Sequence, residues 1–150
     1  MARIYLLTLI VIFTVSCKDE KSTNSISPVT EIDQKTVRYN DTVNKLLRVK
    51  DPIPGQLITS PLEITGEARG YWFFEANATI ELLDGKMNQI SQTYTTAMGE
   101  WMTEDWVPFS GTITFEKPAT QNGFLVLHKA NPSGLKEHDM SDTIPVTFKK

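Results

Sequence analysis

From Leu46 onward, apolar and polar residues alternate along several short runs, and clusters of Pro, Gly and Asn separate one run from the next. The clearest run covers residues 62–69, where Leu62 and Ile64 fall on one face and charged or hydroxyl side chains fall on the other. Successive side chains of a β-strand point to opposite faces, so a period of two indicates strands. We therefore expect this part of the chain to be built from short β-strands.

The predicted strands continue towards the end of the chain. Residues 72–82 are predicted as one strand, and Asp84-Gly85 then marks a turn. Further strands are expected over 90–97, 109–116, 124–129 and 144–148. The same alternation predicts four aromatic core residues, Trp72, Phe74, Phe109 and Phe115. Short antiparallel strands without helices between them bury their apolar faces as two packed sheets, so the predicted fold class is all-β, an immunoglobulin-like β-sandwich of about seven antiparallel strands.

Residues 1–17 have the pattern of an export signal. Arg3 precedes an apolar run over residues 4–13, which is too short to span a membrane as a helix. The following Thr14-Val15-Ser16-Cys17 resembles the lipobox of bacterial lipoproteins, in which the cysteine is acylated and cleavage occurs just before it. We predict a signal peptide over residues 1–16 and a covalent lipid on Cys17. The alternative is an ordinary signal peptide with an incidental cysteine.

A tether is predicted to follow the lipid site. Residues 17–45 are polar and have no sustained apolar period, which leaves residues 46–150 as the domain. Apolar residues near the end of this segment fit either a short helix or the first strand: Val37, Tyr39, Val43, Leu46 and Leu47.

The residues directly after Cys17 carry a second indication of location. Lys18-Asp19-Glu20 resembles the Lys-acid-acid sequence that directs some Bacteroidetes lipoproteins to the outer face of the outer membrane. The expected location is the bacterial cell envelope, with lipid anchoring in the outer membrane and exposure at the surface. Charged residues that only keep the tether solvated are the alternative.

The composition narrows the range of partners and cofactors. The formal net charge is −3, and Lys and Arg form no stripe of the kind that nucleic acid or an anionic bilayer requires. Cys17 is the only cysteine, so the chain has no intramolecular disulfide. We predict no nucleic-acid partner, membrane attachment through the lipid anchor alone, and no cofactor apart from the covalent lipid on Cys17.

The chain offers few residues for catalysis or metal binding. His128 and His138 are the only histidines, and neither has the spacing of a zinc site; a Gly-x-Ser-x-Gly elbow is also absent. The acidic residues Glu137, Asp139 and Asp142 offer oxygen ligands to calcium but lack the order of an EF-hand, so a solvated turn is the preferred interpretation. We predict no enzyme, no catalytic residues and no metal site.

Several ordered blocks, from about residue 46 to the C-terminus, resemble the Gmad2 domain. They are Pro52–Gly70, Trp72–Ala76, Gly99–Glu104, Val107–Phe109 and Asn131–Leu135. The resemblance implies an immunoglobulin-like fold, in agreement with the alternation, and a module of bacterial spore-germination and other envelope proteins. It brings no catalytic residues. The lipoprotein-type start of this chain resembles a Gram-negative surface protein and differs from the proteins of spore-forming bacteria. We therefore do not expect a role in germination.

Charged and aromatic residues around the turn that follows residues 62–69 form the candidate site. Arg69 and Glu75 are expected to pair with each other or to satisfy backbone groups at the end of the sandwich. The aromatic candidates for a binding or structural role are Tyr71, Trp72, Phe73, Trp101 and Trp106. All of these except Trp72, which is predicted as core, form either an exposed patch or buried loop anchors.

Two functions are compatible with these residues. The first is a non-catalytic interaction module that binds an envelope protein through an edge strand or a loop face. The second is a glycan- or small-ligand-binding surface lipoprotein in which Trp101 or Trp106 stacks on a saccharide. Saturable binding to defined glycans would distinguish the second from the first.

Overall fold

The computed structural model describes residues 43–149. The predicted signal peptide over residues 1–16, the lipid site at Cys17 and the tether up to residue 42 lie outside the described residues and stay predictions. Val43 and Asn44 are helical, and the first strand begins at Leu47. Both alternatives that the sequence left open are therefore present around the end of the predicted tether: a short helical turn at residues 43–44 and the first strand from Leu47.

Within the described residues 43–149, eight strands form the domain. They are β1 (Leu47–Asp51), β2 (Leu57–Ile58), β3 (Leu62–Arg69), β4 (Asn77–Asp84), β5 (Gln89–Ala97), β6 (Trp106–Ile113), β7 (Asn122–His128) and β8 (Ser141–Phe148). Two short 3₁₀ turns accompany them, η1 (Gly70–Trp72) and η2 (Lys136–His138). The prediction of an all-β fold is confirmed for the part of the chain that the structure describes.

The strands form one curled sheet in the order β1-β3-β6-β5-β4-β7-β8-β2. β5 pairs with β4 along most of its length but with β6 only through Thr96 and Ala97. The sheet bends at this short pairing, and the β1-β3-β6 half packs over the β4-β7-β8 half around one core. This arrangement is the predicted two-layered sandwich.

One strand pair departs from the predicted antiparallel arrangement. β2 runs parallel to β8, with Leu57 beside Thr147 and Ile58 beside Phe148. The chain crosses from β1 in one layer to the edge of β8 in the other, and the crossing is fixed where the Gly55 amide donates to the Pro145 carbonyl. A two-residue strand has too little alternation for its pairing partner to be predicted from sequence.

Inward-facing aliphatic side chains of both layers fill the core. β3 alternates as predicted, with Leu62, Ile64 and Ala68 buried and the intervening residues facing outwards. Each aliphatic side chain that is fully removed from water stabilises the fold by about 1.5–3 kcal/mol. In the opposite layer Ile80 and Leu125 are completely buried. The layers are therefore held together by hydrophobic burial in a chain that has no disulfide.

The predicted strand over residues 72–82 is wrong in its first half. The strand begins only at Asn77, because Glu75 and Ala76 both have positive φ angles, 50° and 62°, and reverse the chain direction. The Phe74 amide donates to the Asn77 carbonyl at 3.0 Å, and the Asn77 amide returns the bond at 3.0 Å. Two central residues with positive φ are the hallmark of a type I′ hairpin turn.

This turn changes which aromatic residues are buried. Phe73 is only 4% exposed, whereas Phe74 is 48% exposed, so the prediction of Phe74 as a core residue is wrong. The period-two pattern fails there because the backbone before the turn is not a continuous strand. Phe115, also predicted as core, is half-buried and packs edge-on against Phe148 with ring centroids 5.7 Å apart.

Candidate functional site

One end of the sandwich carries a group of uncovered apolar side chains, which we call the aromatic end: Tyr71, Phe74, Trp101, Met102 and Pro132. They come from three segments, namely the turn after β3, the loop between β5 and β6, and the segment after β7. Together they line an open depression of about 660 Å³. Tyr71 and Phe74 are each 48% exposed, and Met102 is 75% exposed.

The four consecutive aromatic residues 71–74 divide into an inner and an outer pair. Trp72 is 1% exposed, and its carbonyl accepts a hydrogen bond of 2.9 Å from the Ala130 amide. Phe73 packs edge-on against Phe109 of β6, with ring centroids 6.2 Å apart. Because the inner pair is fixed in the core, Tyr71 and Phe74 are held outside it on a rigid segment.

Gly70 fixes the neighbouring loop against this segment. A Cβ atom at Gly70 would collide with the carbonyl oxygens of Trp101 and Thr103, so the loop backbone packs directly on the glycine. The Gly70 amide also donates to the Asp105 carbonyl at 3.2 Å. Trp101 is half-buried and contacts the core, and it leaves Met102 exposed at the loop tip. Trp101 is therefore partly a loop anchor and partly a lining residue of the depression.

A second depression of about 450 Å³ adjoins the first and shares Phe74, Ala130 and Pro132 with it. Its other lining residues include Tyr94, which is 59% exposed, and Asn77. The Asn77 side chain is engaged in the structure, since its amide donates to the Glu75 carbonyl and its oxygen accepts from the Thr96 hydroxyl. Phe74 and Pro132 thus stand between two shallow surfaces, each of which combines exposed aromatic rings with polar groups.

The outer side of β1, β3 and β6 differs in character, and we call it the cationic face: Arg48, Lys50, Glu67, Arg69 and Trp106. The guanidinium carbons of Arg48 and Arg69 lie 3.8 Å and 4.4 Å from the centroid of the Trp106 ring. Arg48 Nη1 is also 3.0 Å from Glu67 Oε1, and Lys50 Nζ is 3.9 Å from Glu67 Oε2. Two cations therefore share one carboxylate on this face.

Arg69 does not form the predicted ion pair with Glu75. Among the ion pairs within residues 43–149, none joins these two side chains. Arg69 instead donates to the carbonyl oxygens of Lys45 and Glu104, at 3.5 Å and 3.1 Å. These bonds join the chain before β1 to the β5–β6 loop, which is the backbone-satisfying role given as the alternative. Glu75 lies in the type I′ turn, where its backbone is held at a positive φ angle of 50°.

The structure brings together only part of the residue set selected from sequence. Tyr71 and Trp101 lie at the aromatic end, whereas Trp106 lies on the cationic face under two guanidinium groups. A ring covered in this way is poorly placed to stack on a saccharide. Sequence reasoning did not select Phe74, Tyr94, Met102 and Pro132 for the site.

The two histidines lie in separate polar settings. His128 Nε2 on β7 is 3.2 Å from Glu81 Oε2 on β4, and His138 Nδ1 is 3.0 Å from the Ser133 hydroxyl. Asp139, in the acidic loop, accepts a 2.7 Å hydrogen bond from the Asn131 side chain. Within residues 43–149, no three His, Cys, Asp or Glu side chains come close enough to hold a metal ion. In the same range, no helix is long and apolar enough to cross a membrane.

Two β layers around a disulfide-free core, with loops gathered at one end, define an immunoglobulin-like domain. The family model Gmad2, described as an immunoglobulin-like domain of bacterial spore germination, matches residues 46–135, which is more than half of the chain. The chain therefore belongs to the Gmad2 family, as the sequence blocks indicated. The matched range contains β1 to β7 and the whole aromatic end. No curated protein matches the chain.

Proposed function

We propose that this protein is a non-catalytic lipoprotein of the bacterial cell envelope whose Gmad2 domain binds a protein partner through its aromatic end. The observation that carries this proposal is the grouping of Tyr71, Phe74 and Met102 around one depression, all three well exposed. Contiguous exposed apolar surface on a soluble domain marks interaction sites. The description of the family by a fold and a biological process, with no reaction named, supports a binding role.

The composition of the aromatic end suits a protein partner. Aromatic side chains and methionine are enriched at the centres of protein interfaces, and the aromatic ones bury a large area with few rotatable bonds. Charged residues border the same depression, among them Glu104 and Lys129. An apolar centre with a polar rim is the usual anatomy of a non-obligate interface.

The rigidity of the aromatic end also favours binding. Tyr71 and Phe74 flank two buried aromatic residues, and the loop that carries Met102 packs on Gly70. Side chains held on a fixed backbone lose little conformational freedom when a partner binds, so more of the burial energy contributes to affinity.

The position of residues 45 and 46 agrees with a partner in the same envelope. Lys45 and Leu46, next to the start of β1, line a surface depression together with Tyr71 and Glu104. Residues 45 and 46 therefore lie beside the aromatic end. If residues 17–42 form a flexible coil, they span on the order of 30 Å. A domain anchored through Cys17 would then present this end to partners close to the membrane.

Cross-linking in the native cell, followed by recovery of a C-terminally tagged chain, tests the protein-partner proposal. We expect a reproducible envelope protein that is lost in the double variant Tyr71→Ser/Phe74→Ser. The matched control is Ile53→Ser/Met87→Ser, which removes two exposed apolar side chains that line neither depression of the aromatic end. Equal recovery of the partner with the double variant would refute the role of the aromatic end, provided that both variants unfold at the same denaturant concentration as the wild type.

A glycan is the second candidate ligand, and the depression between Phe74 and Tyr94 supports it. Two exposed aromatic rings there stand beside the amide and hydroxyl groups of Asn77 and Thr79, which is a combination able to stack on a sugar and bind its hydroxyls. Titration of the full chain in detergent with defined glycans is the test. Saturable binding that Tyr94→Ala abolishes would favour this function, and no saturable binding would eliminate it.

A further inference from the structure

The two depressions at the aromatic end share a wall and are built alike. Phe74, Ala130 and Pro132 line both of them. Each depression also has one exposed tyrosine of its own: Tyr71, which is 48% exposed, on one side and Tyr94, which is 59% exposed, on the other. A phenol offers a flat ring and a hydroxyl that donates a hydrogen bond. The wall therefore has a similar binding group on each side.

The backbone around these depressions is poorly suited to accept an added β-strand. Phe74 and Asn77 exchange both of their main-chain hydrogen bonds, and the Ala130 amide donates to the Trp72 carbonyl. Strand addition requires a row of free amides and carbonyls. An amphipathic helix also fits poorly, because it lies in one continuous apolar groove, and the wall of Phe74 and Pro132 divides this surface in two. A partner segment is therefore bound through side chains on both sides of the wall.

We propose that the partner presents a proline-rich segment in the polyproline II conformation, with a basic residue beside Glu75. This inference rests on the proposed function and names the chemistry that the aromatic end binds. Polyproline II has three residues per turn and no internal hydrogen bonds, so its carbonyls accept from tyrosine hydroxyls. Proline rings on successive turns would lie about 9 Å apart, one in each depression. Aromatic-lined grooves bind such segments, because the preformed helix loses little entropy.

The charges of the two depressions give the bound segment a direction. Glu75 is the only charged residue that lines the depression with Tyr94. It is exposed, and none of the ion pairs within residues 43–149 includes it. The depression with Tyr71 is lined by one acidic and one basic residue, Glu104 and Lys129, whose charges offset each other. Charge complementarity therefore favours a basic residue of the partner at the Tyr94 side.

A synthetic peptide of one arginine followed by nine prolines is the probe, and the same sequence built from D-amino acids is its control. The two peptides have the same composition and charge, but the D peptide forms a helix of the opposite hand. Each is titrated into the full chain in detergent solution, and the NMR signals of the chain are followed. We expect saturable shifts at Tyr71, Phe74 and Tyr94 with the L peptide and none with the D peptide.

Three conservative variants sharpen the test. Tyr71→Phe and Tyr94→Phe keep the rings but remove the hydroxyl donors, so each should weaken binding of the L peptide about fivefold through the loss of one hydrogen bond. Glu75→Gln should weaken binding about threefold at low salt, since an exposed charge pair contributes little and is screened. The matched control is Thr143→Val, which removes an exposed hydroxyl that lines neither depression and should leave the affinity unchanged.

Two results would overturn the inference. The first is the absence of a saturable shift with the L peptide, and the second is an equal shift with both peptides, which would show apolar adhesion without recognition of the helix. Cross-linking in the native cell separates this failure from a failure of the proposed function. A cellular partner that is lost in Tyr71→Ser/Phe74→Ser, without binding of the L peptide, would refute only the proline-rich segment. The absence of both would overturn both proposals.

Discussion

The aromatic end and the cationic face differ in whether their outward-facing aromatic rings are covered by other side chains. On the cationic face, the ring of Trp106 lies beneath the guanidinium groups of Arg48 and Arg69. At the aromatic end, Tyr71 and Phe74 are uncovered, and the cation that lines the same depression, Lys129, has no ring contact of this kind among the described residues. The same domain thus shields one large aromatic residue and leaves two others open.

The difference indicates that the open aromatic surface is not a requirement of the fold. Arginine side chains can cover an outward-facing aromatic ring with their apolar stems and bind it through their charge. Position 74 is the first residue of the type I′ turn and tolerates polar residues sterically, since its side chain lies outside the core. An exposed Phe there does not serve the core of the domain, which supports the proposed contact with a partner.

The largest effect on stability is expected at Trp72, the inner member of the aromatic segment. Trp72→Ala should lower the free energy of unfolding by about 3–5 kcal/mol, because it removes a completely buried side chain and leaves a cavity. Urea or guanidinium denaturation measures the change. Tyr71→Ala is the matched control and should cost less than about 0.5 kcal/mol. Similar losses in the two variants would contradict the division into inner and outer residues.

A smaller loss of stability is expected at Gly70. Gly70→Ala places a methyl group against the carbonyl oxygens of Trp101 and Thr103, so the loop must move or the turn must distort. We expect a loss of about 1–3 kcal/mol and altered NMR signals in residues 101–105. Met102→Ala, at the exposed tip of the same loop, should leave the stability unchanged. An unshifted loop in Gly70→Ala would show that Gly70 does not fix the aromatic end.

The arginine side chain of Arg69 over the Trp106 ring should contribute about 1 kcal/mol to the free energy of unfolding. Arg69→Met retains an apolar side chain but removes the charge over the ring and the bonds to the carbonyls of Lys45 and Glu104. Chemical denaturation should show this loss, and solvent quenching of Trp106 fluorescence should increase once the other two tryptophans are replaced by Phe in a background that still folds. Arg48→Met should have the smaller effect, because Arg48 is more exposed. The reverse order would refute the assigned role of Arg69.

The smallest effect concerns Asp84, in the turn between β4 and β5. The hydrogen bond from the Asn88 side chain holds the pKa of Asp84 below its ordinary value, with help from the amides of Asn88 and Lys86. Because the folded-state pKa is the lower one, the carboxylate stabilises the fold above the ordinary pKa of Asp, and this contribution disappears as the pH falls through the folded-state value.

Asp84→Asn should therefore be slightly less stable than wild type at pH 7, and the difference should shrink under acid conditions. The denaturation midpoints of the variant and the wild type, measured at pH 7 and under acid conditions, give this difference in stability. An unchanged difference at low pH would contradict an electrostatic origin. This turn can be compared with the aromatic end, because side-chain hydrogen bonds to Asp84 stabilise it, whereas buried aromatic rings stabilise the aromatic end.

The sequence predicted the layers of the fold better than it predicted the site. The strict alternation of β3 corresponds to observed burial at almost every position, because a strand with one buried face imposes that pattern. The turn at Glu75 and Ala76 escaped prediction, since neither residue favours a positive φ as Gly or Asn does. The burial of Phe73 and the exposure of Phe74 both depend on that turn.

The cover over Trp106 could not be predicted from sequence for a different reason. It requires Arg48 and Arg69 to lie beside Trp106, and this follows from the register of β1 with β3 and of β3 with β6. Register across strands distant in sequence is set by the packed core as a whole. Local patterns predict which residues face outwards, but not which outward residues meet.

The most direct test of the central claim, that the aromatic end contacts a partner, is site-specific photo-cross-linking in the native cell. A benzophenone side chain is introduced at position 74 and, as the control, at the exposed position 112 of β6. We predict that light produces a discrete cross-linked envelope protein from position 74 and none from position 112. The absence of a product from position 74, or the same product from position 112, would show that the aromatic end is not the contact surface.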